Sequence, residues 1–158
     1  MPKPDRMAFE IDIRNDQSLL PVDPVAIRHA VAVTLREEGV RAAVISITVV
    51  DDTTIHRINR EHLQHDYPTD VISFQLEFLP DEDGAIVEGE IIASAEMALR
   101  MAPDCGWSAN SELLLYIVHG LLHLCGYDDL SPPDKVVMRS REQHTLALLG
   151  LTPVYLQE

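Results

Sequence analysis

Little in this chain of 158 residues can cross-link, cross a membrane or grip a polyanion. Its only cysteines, Cys105 and Cys125, do not form a CxxC pair, so reduced thiols in a cytoplasmic protein are expected. No apolar run approaches the ~20 residues that span a bilayer. The opening MPKPDRMAFEIDIRND lacks the apolar core of a signal peptide. Positive charge is scarce: 12 Lys and Arg face 26 Asp and Glu, for a net charge of −14. Between residues 61 and 134 Arg100 stands alone as a cation. Phosphate contacts are made largely by Lys and Arg, so most of this surface should repel nucleic acid. A local basic patch has to be drawn from Arg57, Arg60, Lys135, Arg139 and Arg141. What is present, 46% hydrophobic and 24% charged residues, is ordinary for a soluble globular protein. The length suits one domain, residues 1–158, that buries a core without staples.

The patterning alternates between periods. FEIDIR (9–14) reads as a half-buried strand, and Asp23-Pro24 as N-cap and first residue of a helix that stops at Gly39. AVISITVV (43–50) is a β-branched run fit for a central strand, after which Asp52 or Thr53 can cap a short helix, TTIHRINREHL. VISFQLEF (71–78) and AIVEGEIIAS (85–94) are strands separated by LPDEDG, whose Asp-Gly predicts a hairpin. SAEMALRMA makes a helix, another runs from about Asn110 to Cys125, and Ser131-Pro132 starts a last one ending at Gly150. This order predicts an α/β domain with a four-stranded mixed sheet and about five helices.

The helix NSELLLYIVHGLLHLCG is apolar on nearly every side and is expected to be central and buried. His119 and His123 stand four apart on one face, close enough for both imidazoles to hold one metal ion. Gly126 ends the helix and lets the chain turn back, and Asp129 follows, giving H-x-x-x-H-x-x-G-x-x-D. A lone histidine in an apolar helix is usually a satisfied core residue, but this combination is harder to reach by accident. In outline the spacing matches the metzincin protease motif, except that Gly120 stands where those enzymes carry a general-base Glu and Asp129 where most have a third His. A carboxylate is an ordinary ligand for zinc, so Asp129 completes a set of three with one position left open. Cys125 should point off this face, and His29, His56, His62, His65 and His144 lack a comparable spacing.

HGLLHLCGYDD (119–129), preceded by INREHLQHDYPTDVISF (58–74) and GEIIAS (89–94), resembles the YbeY family of metal-dependent endoribonucleases, the bacterial rRNA maturation factors. The resemblance covers most of the chain and is strongest from about Ile47 to Leu130. It implies a zinc-type ion held by three histidines, cleavage of single-stranded RNA, and work on rRNA precursors beside the small ribosomal subunit and its proteins, with no DNA or membrane partner. Position by position, the family's first two metal histidines fall on His119 and His123, its third on Asp129, and its active-site arginine on Arg60. Arg60 is thus expected to neutralise charge on the scissile phosphate. Asp128, next to a ligand, is a candidate base or a partner that orients a ligand imidazole.

Three other readings compete. A metalloprotease-like hydrolase shares the ligand spacing but needs a base that Gly120 cannot supply. A non-haem iron oxygenase uses two histidines and a carboxylate, usually in a β-barrel. A ribosome-associated binding protein would hold a purely structural ion, in a closed site without an open position toward a cleft.

Overall fold

Strands and helices follow the expected order in a computed structural model that describes residues 8–155. They are β1 (Ala8–Asn15), α1 (Pro24–Glu37), β2 (Val40–Val50), α2 (Asp52–Leu63), β3 (Val71–Leu79), β4 (Ala85–Ser94), α3 (Ala95–Cys105), α4 (Ala109–Leu124) and α5 (Pro132–Leu148). Each helix begins where a short polar side chain accepts a backbone N–H that the helix itself leaves unpaired: Asp23, Asp51, Ser94, Ser108 and Ser131. The α2 cap differs from expectation by one residue. Asp51 is extended and takes the Thr54 N–H, while Asp52 is already helical and its carboxylate is engaged by the Ser94 hydroxyl and by Arg100. Tertiary partners on α3 thus decided between adjacent acids.

The sheet order is β1-β2-β4-β3, with β1, β2 and β4 parallel and β3 antiparallel to β4. It is the expected four-stranded mixed sheet. Because side chains alternate across a strand, β2 and β4 carry two apolar sets. Ile45, Ile47, Val49, Val87, Ile91 and Ala93 face α1 and α4, whereas Val50 and Ile92, joined by Ile72 of β3, face Ile55 of α2. A register shift between Gln75 and Glu77 breaks the alternation of β3, so Phe74 packs toward α2 and Phe78 toward the α4 side.

α4 is the central helix that the pattern predicted. It touches α1, α3, α5, β3 and β4, and ten of its residues are buried. Two glycines bring it that close to the sheet. A Cβ on Gly120 would lie 3.2 Å from Val71 Cγ2 and 3.3 Å from Ile91 Cγ2, so this position faces the sheet rather than the histidine face. On β4, a Cβ at Gly89 would lie 2.7 Å from Leu124 Cδ2 and 2.8 Å from the Phe74 carbonyl oxygen. Leu124 can turn aside, but the carbonyl belongs to a paired strand and cannot. Gly89→Ala should therefore lower unfolding free energy by about 1–3 kcal/mol. Gly120→Ala should cost less, because a gain in helix propensity of up to about 1 kcal/mol offsets its milder crowding. Urea denaturation of both variants checks the ranking.

Candidate metal centre

His119 and His123 stand on α4 one helical turn apart, with rings 4.6 Å between centroids. Cys125 caps the helix and Gly126 follows at φ 100°, a left-handed conformation that glycine adopts without strain. The chain reverses there and returns Asp129 to the histidines. The Asp129 carboxylate lies 3.3 Å from His119 Nε2 and 3.6 Å from His123 Nε2, and the two Nε2 atoms are 3.1 Å apart. These three residues form a group of donors able to hold a metal ion.

The tautomers make the case sharper. His123 Nδ1 lies 3.0 Å from the Tyr127 carbonyl oxygen, which can only accept, so Nδ1 carries the hydrogen. His119 Nδ1 lies 2.6 Å from Oε2 of Glu142, a carboxylate that is only 4% exposed and that also accepts the Tyr155 hydroxyl at 2.7 Å. With both Nδ1 atoms protonated, each neutral ring points its Nε2 lone pair at the other and at Asp129. That arrangement is repulsive unless a cation, either a proton or a metal ion, sits among the donors. Burial acts to lower the His119 pKa, but the hydrogen bond and charge of Glu142, aided by Asp70 and Asp129, hold it above the ordinary histidine value. For tetrahedral zinc with donors about 2.0–2.1 Å away, donor atoms are about 3.3 Å from one another. The observed separations bracket that figure, so the residues fit the ion.

Beside the triad lies a cavity of about 570 Å³, whose walls include His119, Asp129, Asp70, Glu142, Lys135 and Arg139. The arrangement gives three protein donors with open space next to them. Asp128 is exposed, and its Oδ1 accepts the Asp129 N–H at 2.7 Å, so it braces the ligand turn. Arg60 is exposed on the last turn of α2 and does not line the cavity. Its neighbour Asn59 is buried and donates to the Tyr67 carbonyl, which ties α2 to the loop leading to Asp70. Of the remaining histidines, His56 pairs with Asp66 and His144 with Glu37, His65 stacks on Tyr67, His62 meets Phe74 edge-on, and His29 is exposed. None joins the triad.

Sequence reasoning missed the residues that orient the ligands. Glu142 had a readable signal, since it shares the buried stripe of α5 with Met138, Thr145 and Leu146, where a carboxylate demands a partner. Tyr127 had none: its backbone oxygen serves His123, while its hydroxyl donates to Glu38, itself clamped by Arg141. Arg141 is therefore engaged with Glu38 rather than with the cavity. Cys125 packs against the main core, and burial, helped by Glu38, pushes its thiol up to about 12.

Two outcomes follow from this geometry. Glu142→Gln removes the charged acceptor behind His119 and should weaken zinc binding about 10–100-fold in a chelator competition titration. Unchanged affinity would leave Glu142 as mere packing. Cys125 should resist iodoacetamide at pH 8.5 in the native protein and react once urea unfolds it, because the thiolate is the reactive form and the raised pKa suppresses it only in the fold.

A family model described as Endoribonuclease YbeY matches residues 12–150. Curated proteins named Endoribonuclease YbeY are similar along most of the chain. That of Carboxydothermus hydrogenoformans is 41% identical over 143 residues, covering 89% of this chain and 97% of that protein. That of Bacillus licheniformis is 36% identical over 157 residues, covering 92% and 98%. That of Rhodopirellula baltica is 48% identical over 116 residues, covering 72% of this chain and 58% of the longer relative. A solution structure from Thermotoga maritima superposes with a TM-score of 0.57 at 20% identity, over 89% of this chain and 91% of that one, and shows the same fold. With the fold and the match over residues 12–150 in agreement, this chain belongs to the YbeY family.

Proposed function

We propose that this protein is a metal-dependent endoribonuclease that cuts single-stranded RNA, with His119, His123 and Asp129 holding one divalent ion, zinc by preference. The observation that carries the reading is the pair of Nε2 atoms 3.1 Å apart, aimed at one point with a carboxylate, beside a cavity. The name shared by the relatives supplies the reaction class. Nitrogen and carboxylate donors suit zinc. When bound, such an ion supplies Lewis-acid chemistry: it acidifies water and polarises a phosphoryl oxygen.

The chain's own groups do the rest. Glu142 and the Tyr127 carbonyl keep both imidazoles in the tautomer that can donate, and Asp128 fixes the backbone from which Asp129 reaches. Arg60, outside the cavity on α2, meets the RNA backbone and neutralises charge at the phosphate. The site is part of one endoribonuclease domain formed by residues 1–158, acting in the cytoplasm on rRNA precursors. The net charge of −14 suits contact with basic proteins of the small ribosomal subunit. Among the described residues no helix is long and apolar enough to cross a membrane.

Two competing readings lose ground on geometry. The protease base is missing at position 120, a glycine whose added Cβ would press on Val71 and Ile91. A purely structural ion calls for a closed set of ligands, whereas the described donor group has three members and adjoins a cavity.

The protein should purify with about one equivalent of a divalent metal by elemental analysis, and His119→Ala with His123→Ala should abolish both the metal and RNA cleavage. Retained metal in that double variant would sink the assignment. A carboxylate donor cancels one unit of the ion's charge and weakens its acidifying effect. Activity should therefore rise with pH at a higher pH than in Asp129→His, by roughly one unit. Asp129→Ala with wild-type metal affinity and cleavage would remove Asp129 from the ligand set. Arg60→Ala should slow RNA cleavage at least tenfold and leave metal content and thermal midpoint unchanged, because an exposed arginine contributes little to folding. A rate within a factor of two of wild type would exclude the assigned role.

A further inference from the structure

The cavity beside the triad is lined very unevenly. Leu115, Tyr116 and Met138 form a buried apolar part, each at most 9% exposed, while Lys135 and Asp129 stand toward solvent. Among the described residues its Lys and Arg side chains are Lys135 and Arg139, four apart on α5 and therefore on one face of that helix. The Arg139 guanidinium is held 3.9 Å above the Tyr155 ring, and the Tyr155 hydroxyl donates to Glu142, which in turn binds His119. One cation is thus mechanically linked to the metal centre. Among the described residues the cavity's other charged side chains include the acids Asp70, Glu112, Asp129 and Glu142, each already engaged within the fold: Asp70 accepts the Val71 N–H, Glu112 the Trp107 indole N–H, Asp129 lies against His119 and His123, and Glu142 meets His119 and Tyr155. A volume of about 570 Å³ falls within the range of small-ligand sites, roughly 300–1,000 Å³.

We infer that this cavity is a nucleotide subsite: it takes one nucleotide of the RNA next to the scissile bond, base against Leu115, Tyr116 and Met138, phosphate on Lys135 and Arg139. The inference rests on the endoribonuclease reading and deepens it. The chemistry matches what a splayed nucleotide offers, an apolar face with an anionic end, and a chain with so few cations places two of them here. It also gives a physical reason for a single-stranded substrate. A base can enter only after leaving its stack and its pairing partner, which costs a few kcal/mol in a duplex and far less in a single strand.

The test uses zinc-loaded protein and two readouts. Trp107 is the only tryptophan and its Nε1 donates to Glu112 in the cavity wall, so its fluorescence reports on occupancy. Adenosine 5′-monophosphate should change that fluorescence saturably and bind at least tenfold tighter than ribose 5-phosphate. The combination of Lys135→Ala and Arg139→Gln should weaken it at least tenfold. In cleavage of a single-stranded oligoribonucleotide, the same double variant should raise KM at least tenfold with a smaller change in kcat, and flatten the salt dependence of log kcat/KM by about 0.7, the value for one phosphate no longer neutralised. Arg14→Gln, which removes one positive charge from an exposed residue of β1 and so matches the charge change of Lys135→Ala alone, should leave all of these unmoved. Lys135 is exposed, so Lys135→Ala alone, expected to show part of each effect, keeps the test decisive if the Arg139 substitution unfolds the protein. Ribose 5-phosphate binding as tightly as the nucleotide, equal nucleotide binding in the cation variants, or an unchanged KM and salt slope would overturn the subsite. Absence of RNA cleavage by the unmodified protein would instead overturn the endoribonuclease reading, and leaves the fluorescence result to stand or fall by itself.

Discussion

Two imidazole nitrogens face each other across 3.1 Å with a carboxylate alongside, and the surrounding structure exists in a form that keeps them there. Left neutral, the two lone pairs repel. They are held by partners that leave neither ring free to rotate: a buried carboxylate behind one and a backbone carbonyl behind the other. Such a site stores the geometry for a cation before any cation arrives. Glu142 and its acidic neighbours act on His119 in the same sense: against the effect of burial they hold its pKa above the ordinary histidine value.

Holding Glu142 in place is itself a packing problem. A carboxylate with 3% residue exposure would be costly alone, and here it is offset by His119 on one oxygen and Tyr155 on the other. A second buried acid, Glu38, does parallel work at the end of α1: it receives Tyr127 and Arg141, anchoring the turn that carries the carbonyl for His123 and then Asp129. Both ligand-orienting partners thus trace back through α5, one through Glu142 and the other through Arg141. The acidic composition therefore has a structural use in addition to its effect on surface charge.

Asp129 is placed by the same turn. An aspartate is short, and the turn after Gly126 brings its backbone close enough for the carboxylate to lie within 3.6 Å of both Nε2 atoms. Asp128 accepts the N–H of that same residue and limits its freedom.

Patterns of short range were legible in the sequence. Period-two and period-3.6 runs gave the strands and helices, Asp23 and Ser131 ahead of proline gave two of the five caps, and the spacing of His119, His123, Gly126 and Asp129 gave the group of donors able to hold a metal ion, because all of these are fixed by chain geometry within about one or two turns. The choice of Asp51 over Asp52 as a cap, the break in β3 alternation, and the partnership of Glu142, Tyr155 and Tyr127 with the ligands were decided only by the tertiary structure. Those depend on which surfaces meet across distant segments, such as the 23 positions separating His119 from Glu142 or the 89 separating Glu38 from Tyr127. Local periodicity carries no record of such pairings, because burial decides them only once the helices have docked.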